Sequence, residues 1–221
     1  MTIKIAVVNE SKNHETRVAV VPEIAQKLAS NNVTFSIEKN SGSASGFLDS
    51  DYPEGACSFF DTHSEAIKDA DVLFKVNPPT SEEVGFMKKG ALAVSFMNPF
   101  QNGELIKNMA SSGIDAFSVE LVPRISRAQS MDALSSQASI AGYKAVILAA
   151  NNANKFFPML TTAAGTVRPA QTLIVGAGVA GLQAIATAKR LGSRVIAFDV
   201  RSSTKEQIES LWGQFLDTGI T

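Results

Sequence analysis

Three glycines at GxGxxG spacing, Gly176, Gly178 and Gly181, follow the apolar run Leu173–Val175 and open a helical stretch that ends at Gly192. A carboxylate, Asp199, closes the next apolar run. In such an arrangement the first glycine permits a tight turn, the second lets the backbone approach a pyrophosphate, and the third lets the helix pack on the strand. The free N–H groups at the helix start then face the phosphates. With a strand before it, a helix behind it and an acidic residue at the end of the following strand, the motif implies a dinucleotide site.

Asp199 stands where a carboxylate would accept hydrogen bonds from the adenosine ribose hydroxyls and repel a 2′-phosphate, which favours NAD(H) over NADP(H). Arg201, two residues on, pulls the other way, because a guanidinium can pair with a phosphate. A solvated surface arginine and a ribose or phosphate contact are both open readings of it. A second polar stretch, RISRAQSMDALSSQASIAGYKA at 124–145, carries arginines, a glutamine, an aspartate and several serines between ordinary strand and helix patterns. From its residues alone it reads as a polar loop with helix-capping serines.

The elements that must position these residues alternate. IKIAVV, PEIAQKLAS, TFSIEKN, SEAIKDA and DVLFKVN lead into SEEVGFMKK, ALAVSFM, GELIKNMASSG and IDAFSVELV. Regular β-then-α alternation predicts a mostly parallel sheet with helices on its faces. Pro22 opens the first helix, Thr62 or Ser64 caps another, and Gly113 closes the one at 103–112. Residues 39–50, KNSGSASGFLDS, read as a surface loop. The expected class is α/β with two Rossmann-like parallel-sheet domains, 1–136 and 137–221. The second, dinucleotide-binding one is expected to be incomplete: a buried strand at 173–175 runs into Gly176, and after it the sequence supplies about two strands, with 214–217 as a candidate third. A doubly wound fold uses two βαβαβ halves, so an uncovered apolar face and open strand edges are expected. Between the halves a helix is predicted over 136–155, ended by Pro158, with Ile140, Tyr143, Ile147 and Ala150 on one face and Gly142 marking a close packing contact.

Composition excludes several classes. Twenty basic residues against 21 acidic ones leave a net charge of −1, so the footprint of a nucleic-acid binder is missing. One cysteine, Cys57, makes no internal disulfide and fits a reducing compartment, and no cysteine and histidine cluster is available for a metal. The N-terminal MTIKIAVVNESKNHETRV reads as a first strand and not as a signal peptide. The apolar window 172–188 is too short and glycine-rich for a membrane span.

KIAVVNESKNHETRVAVVPE, KVNPP at 75–79, PRISRAQSMDALSSQASIAGYKAV at 123–146, TTAAGTVRPAQTLIVGAGVAGLQAIATAKRLG at 161–192 and FDVR at 198–201 together carry a resemblance. The chain resembles, over essentially its whole length, the NAD(H)-binding domain I of the alpha subunit of proton-translocating NAD(P) transhydrogenase, in the alanine dehydrogenase/transhydrogenase family. The resemblance implies that Arg124, Gln129, Asp132 and Ser135 hold the nicotinamide and its ribose as the catalytic set. It implies that Gly176, Gly178, Val179, Ala180, Gly181, Asp199, Val200 and Arg201 bind the rest of NAD(H). Implied partners are a membrane domain II and a domain III that carries NADP(H), both on other chains, and a second copy in a homodimer. The implied place is peripheral, at the cytoplasmic or matrix face of a membrane. Measured against that family the chain looks C-terminally truncated, and Trp212 stands where a small residue is usual.

Alanine dehydrogenase shares the ExRVA pattern, here Glu15 to Ala19, and a lysine at a position like Lys75. Oxidising an amino acid needs a proton-transfer group, usually histidine; where such relatives carry one, this chain reads SFMNPF, 95–100. His14 and His63, the two histidines present, lie in segments that read as exposed. Hydride exchange between two nicotinamides moves no proton at the reacting carbon and needs no such group. Arg17 and Lys75 are then expected to hold structure or to lie in an unused cleft. Three functions stay open: transhydrogenase component acting within a complex and inactive alone, truncated non-catalytic nucleotide-binding fragment, and amino-acid oxidoreductase of the alanine dehydrogenase type.

Overall fold

The structure, a computed structural model, describes residues 2–11 and 14–219. It divides into two compact units, Met1–Met131 and Asp132–Thr221.

The first unit runs β1 (Ile3–Val7), α1 (Pro22–Ala29), β2 (Val33–Glu38), β3 (Cys57–Phe60), α2 (His63–Ile67), β4 (Val72–Phe74), α3 (Ser81–Phe86), β5 (Leu92–Ser95), α4 (Gly103–Ser111) and β6 (Asp115–Ser118). Its strands form one six-stranded parallel sheet in the order β3-β2-β1-β4-β5-β6. The order reverses beside β1, as in the doubly wound fold. Alternation along β1 feeds two cores. Val7 packs with Val20, Ala25, Phe35 and Ile37, and Ala6 with Ala66, Ile67 and Leu73. Thr62 caps α2 by accepting the Glu65 N–H at 3.3 Å. The segment CSFF forms a strand that the apolar pattern did not separate from the loop before it. That loop is held by Tyr52, whose hydroxyl donates to the Val20 carbonyl at 2.9 Å.

The second unit runs α5 (Ala133–Asn152), β7 (Leu160–Thr162), β8 (Gly165–Val167), β9 (Gln171–Val175), α6 (Val179–Arg190), β10 (Arg194–Phe198), α7 (Lys205–Ser210) and β11 (Gln214–Phe215). β9, β10 and β11 form a parallel sheet, and β7 with β8 an antiparallel hairpin. One core joins Val146 of α5, Ile185 and Ala188 of α6, Val195 and Ala197 of β10, and Ile208 of α7.

Two expectations need correction. β9 is buried on one face only: Ile174 packs against that core, while Leu173 and Val175 are 59% and 74% exposed. Among the described residues of this unit no element covers that second face. α5 spans 133–152 instead of 136–155; it starts at its cap, Asp132, and stops well before Pro158. Its buried positions are Gly142 and Val146, whereas Ile140 and Tyr143 face solvent. The reason is steric. α5 lies so close to α6 that a methyl added at Gly142 would fall on the Ala180 carbonyl, and small residues select the contact face more strongly than apolar size does.

Helix ends explain Trp212. α7 closes with a Schellman pair, Trp212 N–H to the Glu209 carbonyl at 2.9 Å and Gly213 N–H to the Ile208 carbonyl at 3.1 Å. That motif puts the residue after the cap in the left-handed region, where glycine fits best. Trp212 sits there at φ 62°, with 82% of its surface exposed. α6 ends the same way on Gly192. Replacing Trp212 by glycine is expected to raise stability by about 0.5–1 kcal/mol in urea unfolding, because the left-handed strain is removed and little burial is lost. A less stable variant would mean that the indole contributes packing. Gly142→Ala is expected to cost about 1–3 kcal/mol, although alanine on an open helix surface would gain up to about 1 kcal/mol. Unchanged stability would disprove the tight α5 to α6 contact.

Candidate functional site

Strand β9 ends at Gly176, whose N–H donates to the Phe198 carbonyl at 2.7 Å. Its φ of 98° turns the chain sharply into α6. A methyl at Gly181 would collide with the Gly176 carbonyl, so only glycine lets the first turn of α6 lie on the strand end. Gly178 differs from both. It caps α6 in an extended conformation with no side-chain hydrogen bond, and a methyl there would meet nothing within 4 Å. Its backbone therefore faces open space beside Val179 and Ala180, at the positive end of a helix of 12 residues. That end attracts anions.

Asp199 follows β10 directly and is buried. Its Oδ2 accepts the Ala177 N–H at 2.7 Å, which ties the glycine turn to the end of the neighbouring strand. Arg201 takes up the rest of the carboxylate: its backbone N–H and Nε each donate to Oδ1 at 2.9 Å, and Nη2 donates to Oδ2 at 3.1 Å. The guanidinium foremost, with the two backbone N–H groups, holds the Asp199 carboxyl well below the usual carboxylate range. Val200, between them, is exposed.

Of the polar stretch, Arg124 and Gln129 are exposed, Gln129 on the 3₁₀ turn Ser126–Met131. Buried Ala128 anchors that turn. The same segment walls an apolar groove of about 660 Å³ with Phe117, Leu121 and Ile125. Asp132 is the N-cap of α5: it accepts the Ser135 N–H at 2.9 Å and the Ser135 hydroxyl at 2.7 Å. Asp132 and Ser135 thus form one local pair.

The first unit holds a charge network that the sequence pattern did not announce. Lys75 and Glu83 are both buried, and the Lys75 Nζ lies 2.7 Å from each Glu83 oxygen. Glu83 also completes the capping box of α3, accepting the Thr80 N–H at 2.7 Å. The signal was legible as T-x-x-E at 80–83. His63 is not the exposed residue expected: its Nε2 lies 3.1 Å from Glu38 and its Nδ1 3.7 Å from Glu83, with a quarter of its side chain accessible. Arg17 pairs with Glu15 at 2.8 Å, and that bond, foremost, lowers the Glu15 carboxyl to about 2. Arg17 and Lys75 are therefore engaged with carboxylates, as structural residues are. Among the described residues no group of side chains could hold a metal ion, and no helix is long and apolar enough to cross a membrane.

Comparison with known proteins places this geometry. Residues 6–141 match the family described as Alanine dehydrogenase/PNT, N-terminal domain, and residues 145–220 its C-terminal domain. The NAD(P) transhydrogenase subunit alpha of Haemophilus influenzae is 44% identical over 213 residues, covering 96% of this chain and 41% of that protein. In Rickettsia prowazekii the first portion of the same subunit is 46% identical over 218 residues, with 97% and 57% covered. The alanine dehydrogenase of Bacillus subtilis is 28% identical over 222 residues, with 98% and 57% covered. The crystal structure of a transhydrogenase from Sinorhizobium meliloti superposes with a TM-score of 0.93 at 44% identity, covering 98% of this chain and 64% of that one. The chain thus spans from 41% to 64% of the length of these relatives. With both halves matched, it belongs to the alanine dehydrogenase/PNT family.

Proposed function

We propose that this chain is the NAD(H)-binding component of an NAD(P) transhydrogenase, presenting NADH for hydride transfer to NADP+ held on a partner domain of another chain. The observation that carries the reading is the start of α6. It has no side-chain cap and lies beside Gly178, whose backbone meets open space, with Asp199 tied to the adjoining turn. A pyrophosphate fits such a place, because uncapped N–H groups and the helix dipole both favour a phosphate there. Gly176, Gly178, Val179, Ala180 and Gly181 would take the pyrophosphate, and Asp199, with Val200 and Arg201 beside it, would meet the adenosine end. Arg124, Gln129, Asp132 and Ser135 would orient the nicotinamide end. The dinucleotide would supply the hydride, and the chain's own task is to position it.

The amino-acid oxidoreductase reading is weakened by Lys75, which is buried and bonded to both oxygens of Glu83. Segment 95–100 adds no acid or base: Asn98 there donates its backbone N–H to Glu120 and its side-chain amide to Gln101. The higher identity to a transhydrogenase subunit than to an alanine dehydrogenase points the same way. A partner domain III, a membrane domain II, a homodimer and a peripheral place at the inner or matrix face of a membrane belong to the same proposal. A non-catalytic nucleotide-binding fragment is the second reading, and binding without hydride transfer in the presence of the partner components would select it.

Two measurements test the proposal. Titration with NADH, followed by nucleotide fluorescence, is expected to saturate for wild type. For Gly178→Ala the affinity is expected to fall at least about tenfold, with the unfolding midpoint unchanged because nothing surrounds the added methyl. Equal binding by both proteins would remove the phosphate from this turn. Separately, Asp132→Asn keeps an N-cap acceptor and should preserve stability, since asparagine caps about as well as aspartate. Hydride transfer in a complex reconstituted with the NADP-binding component is expected to slow about tenfold or more. An unchanged rate would leave Asp132 a helix cap and nothing else.

A further inference from the structure

Every acceptor position of the Asp199 carboxylate is already used. A carboxylate offers about four lone-pair directions, and here they receive two backbone N–H groups, from Ala177 and Arg201, and two guanidinium N–H groups from Arg201. The backbone donors are fixed. Ala177 sits in the glycine turn, and the Arg201 carbonyl accepts both the N–H and the hydroxyl of buried Thr204, at 3.1 and 2.8 Å. The guanidinium is the donor that can leave. The Arg201 side chain is 58% exposed and the Asp199 side chain 7%, so the arginine lies between the carboxylate and solvent.

We propose that Arg201 gates Asp199 and thereby sets the discrimination between nucleotides with a bare adenosine ribose and those with a 2′-phosphate. This rests on the nucleotide-site reading given above. With the gate closed, the pair carries no net charge, so it does not repel a phosphate, and three guanidinium N–H groups remain to donate to one. A ribose diol has only hydroxyls to offer the site. To donate to Asp199 it must displace the guanidinium from a two-pronged ion pair, and that displacement weakens binding. Arg201 therefore opposes NAD(H) and favours NADP(H), and the preference expected from Asp199 alone is attenuated.

The test is a set of titrations of the purified chain with NADH and NADPH at one fixed salt concentration, for wild type, Arg201→Ala and Arg201→Gln. Both variants are expected to bind NADH about threefold to tenfold more tightly than wild type, and NADPH more weakly by a similar factor. The shifts must be opposite in sign. If wild type binds NADH and both variants bind the two nucleotides as wild type does, or lose affinity for both alike, Arg201 is not a gate. If wild type binds neither nucleotide, the site reading itself fails and the gate has nothing to admit. An independent readout is the Arg201 Nε–H resonance in nitrogen-correlated NMR of the nucleotide-free chain. A slowly exchanging signal that is lost in Asp199→Asn and changed by NADH is expected. A signal unaffected by Asp199→Asn would show that the pair does not form in solution and would overturn the gate whatever the titrations gave.

Discussion

The first turn of α6 has no room for a side chain on either of two sides. On one, Gly181 lies against the carbonyl of Gly176 at the end of β9; on the other, Ala180 presents its carbonyl to Gly142 of α5. Backbone thus meets backbone in three successive layers, and dispersion contacts at that spacing leave no slack for a methyl. Much of the second unit follows. α5 must turn its glycine and small residues inward, which leaves Ile140 and Tyr143 in solvent. The start of α6 must sit at the end of β9, where its uncapped N–H groups meet open space at Gly178. The anion-attracting character of this place is a consequence of packing before it is a matter of chemistry.

Legibility of the fold tracked the strength of local rules. Five strands of the parallel sheet were readable as short apolar runs alternating with helical patterns whose starts Pro22 and Thr62 mark, because such signals act within a few residues, whereas β3 was not separated from the loop before it. The glycine spacing was readable for the same reason. On α5 the close contact at Gly142 was readable from its small residues, but the outward turn of Ile140 and Tyr143 was not, because apolar periodicity assigns burial by hydrophobicity and the contact is governed by size. The open face of β9 was expected as a property of an incomplete sheet and yet missed at Leu173 and Val175. A run of apolar residues reads as buried on both sides whether or not a second layer exists to cover it. Trp212 was noticed as out of place, but its cost became visible only with φ at 62° in a Schellman turn.

Among the candidate site residues, the aspartates are the instructive cases. Asp199 was singled out by its place after the glycine motif and Asp132 by the family resemblance, and each already has partners: Ser135 for Asp132, Ala177 and Arg201 for Asp199. Sequence reports the type of a side chain and not what its lone pairs are doing. The same holds for Lys75, whose ammonium is met by both oxygens of Glu83, and for His63, which lies between two carboxylates. Buried charges persist only when paired, so a charged residue at a conspicuous position in a sheet of this kind is more informative when its partner can also be named.

That distinction separates the chemistries open to the fold. Amino-acid oxidation requires a cation free to hold a substrate carboxylate and a group free to move a proton. In the first unit Lys75 and Arg17 are bonded to carboxylates, and segment 95–100 is held by backbone and amide hydrogen bonds. Hydride exchange between two dinucleotides makes neither demand. It needs phosphates held by backbone, a ribose held by a carboxylate, and rings held at a fixed distance, and backbone donors supply the first without any ionisable side chain. A scaffold that pairs Lys75 and Arg17 with carboxylates in one unit and leaves a helix start without a side-chain cap in the other has the features that positioning a cofactor calls for. Among the described residues these two tendencies meet at Asp199, which is held by the glycine turn through Ala177 and covered by an exposed cation of its own chain; under the proposed gate, selectivity depends on how easily that cover is lifted.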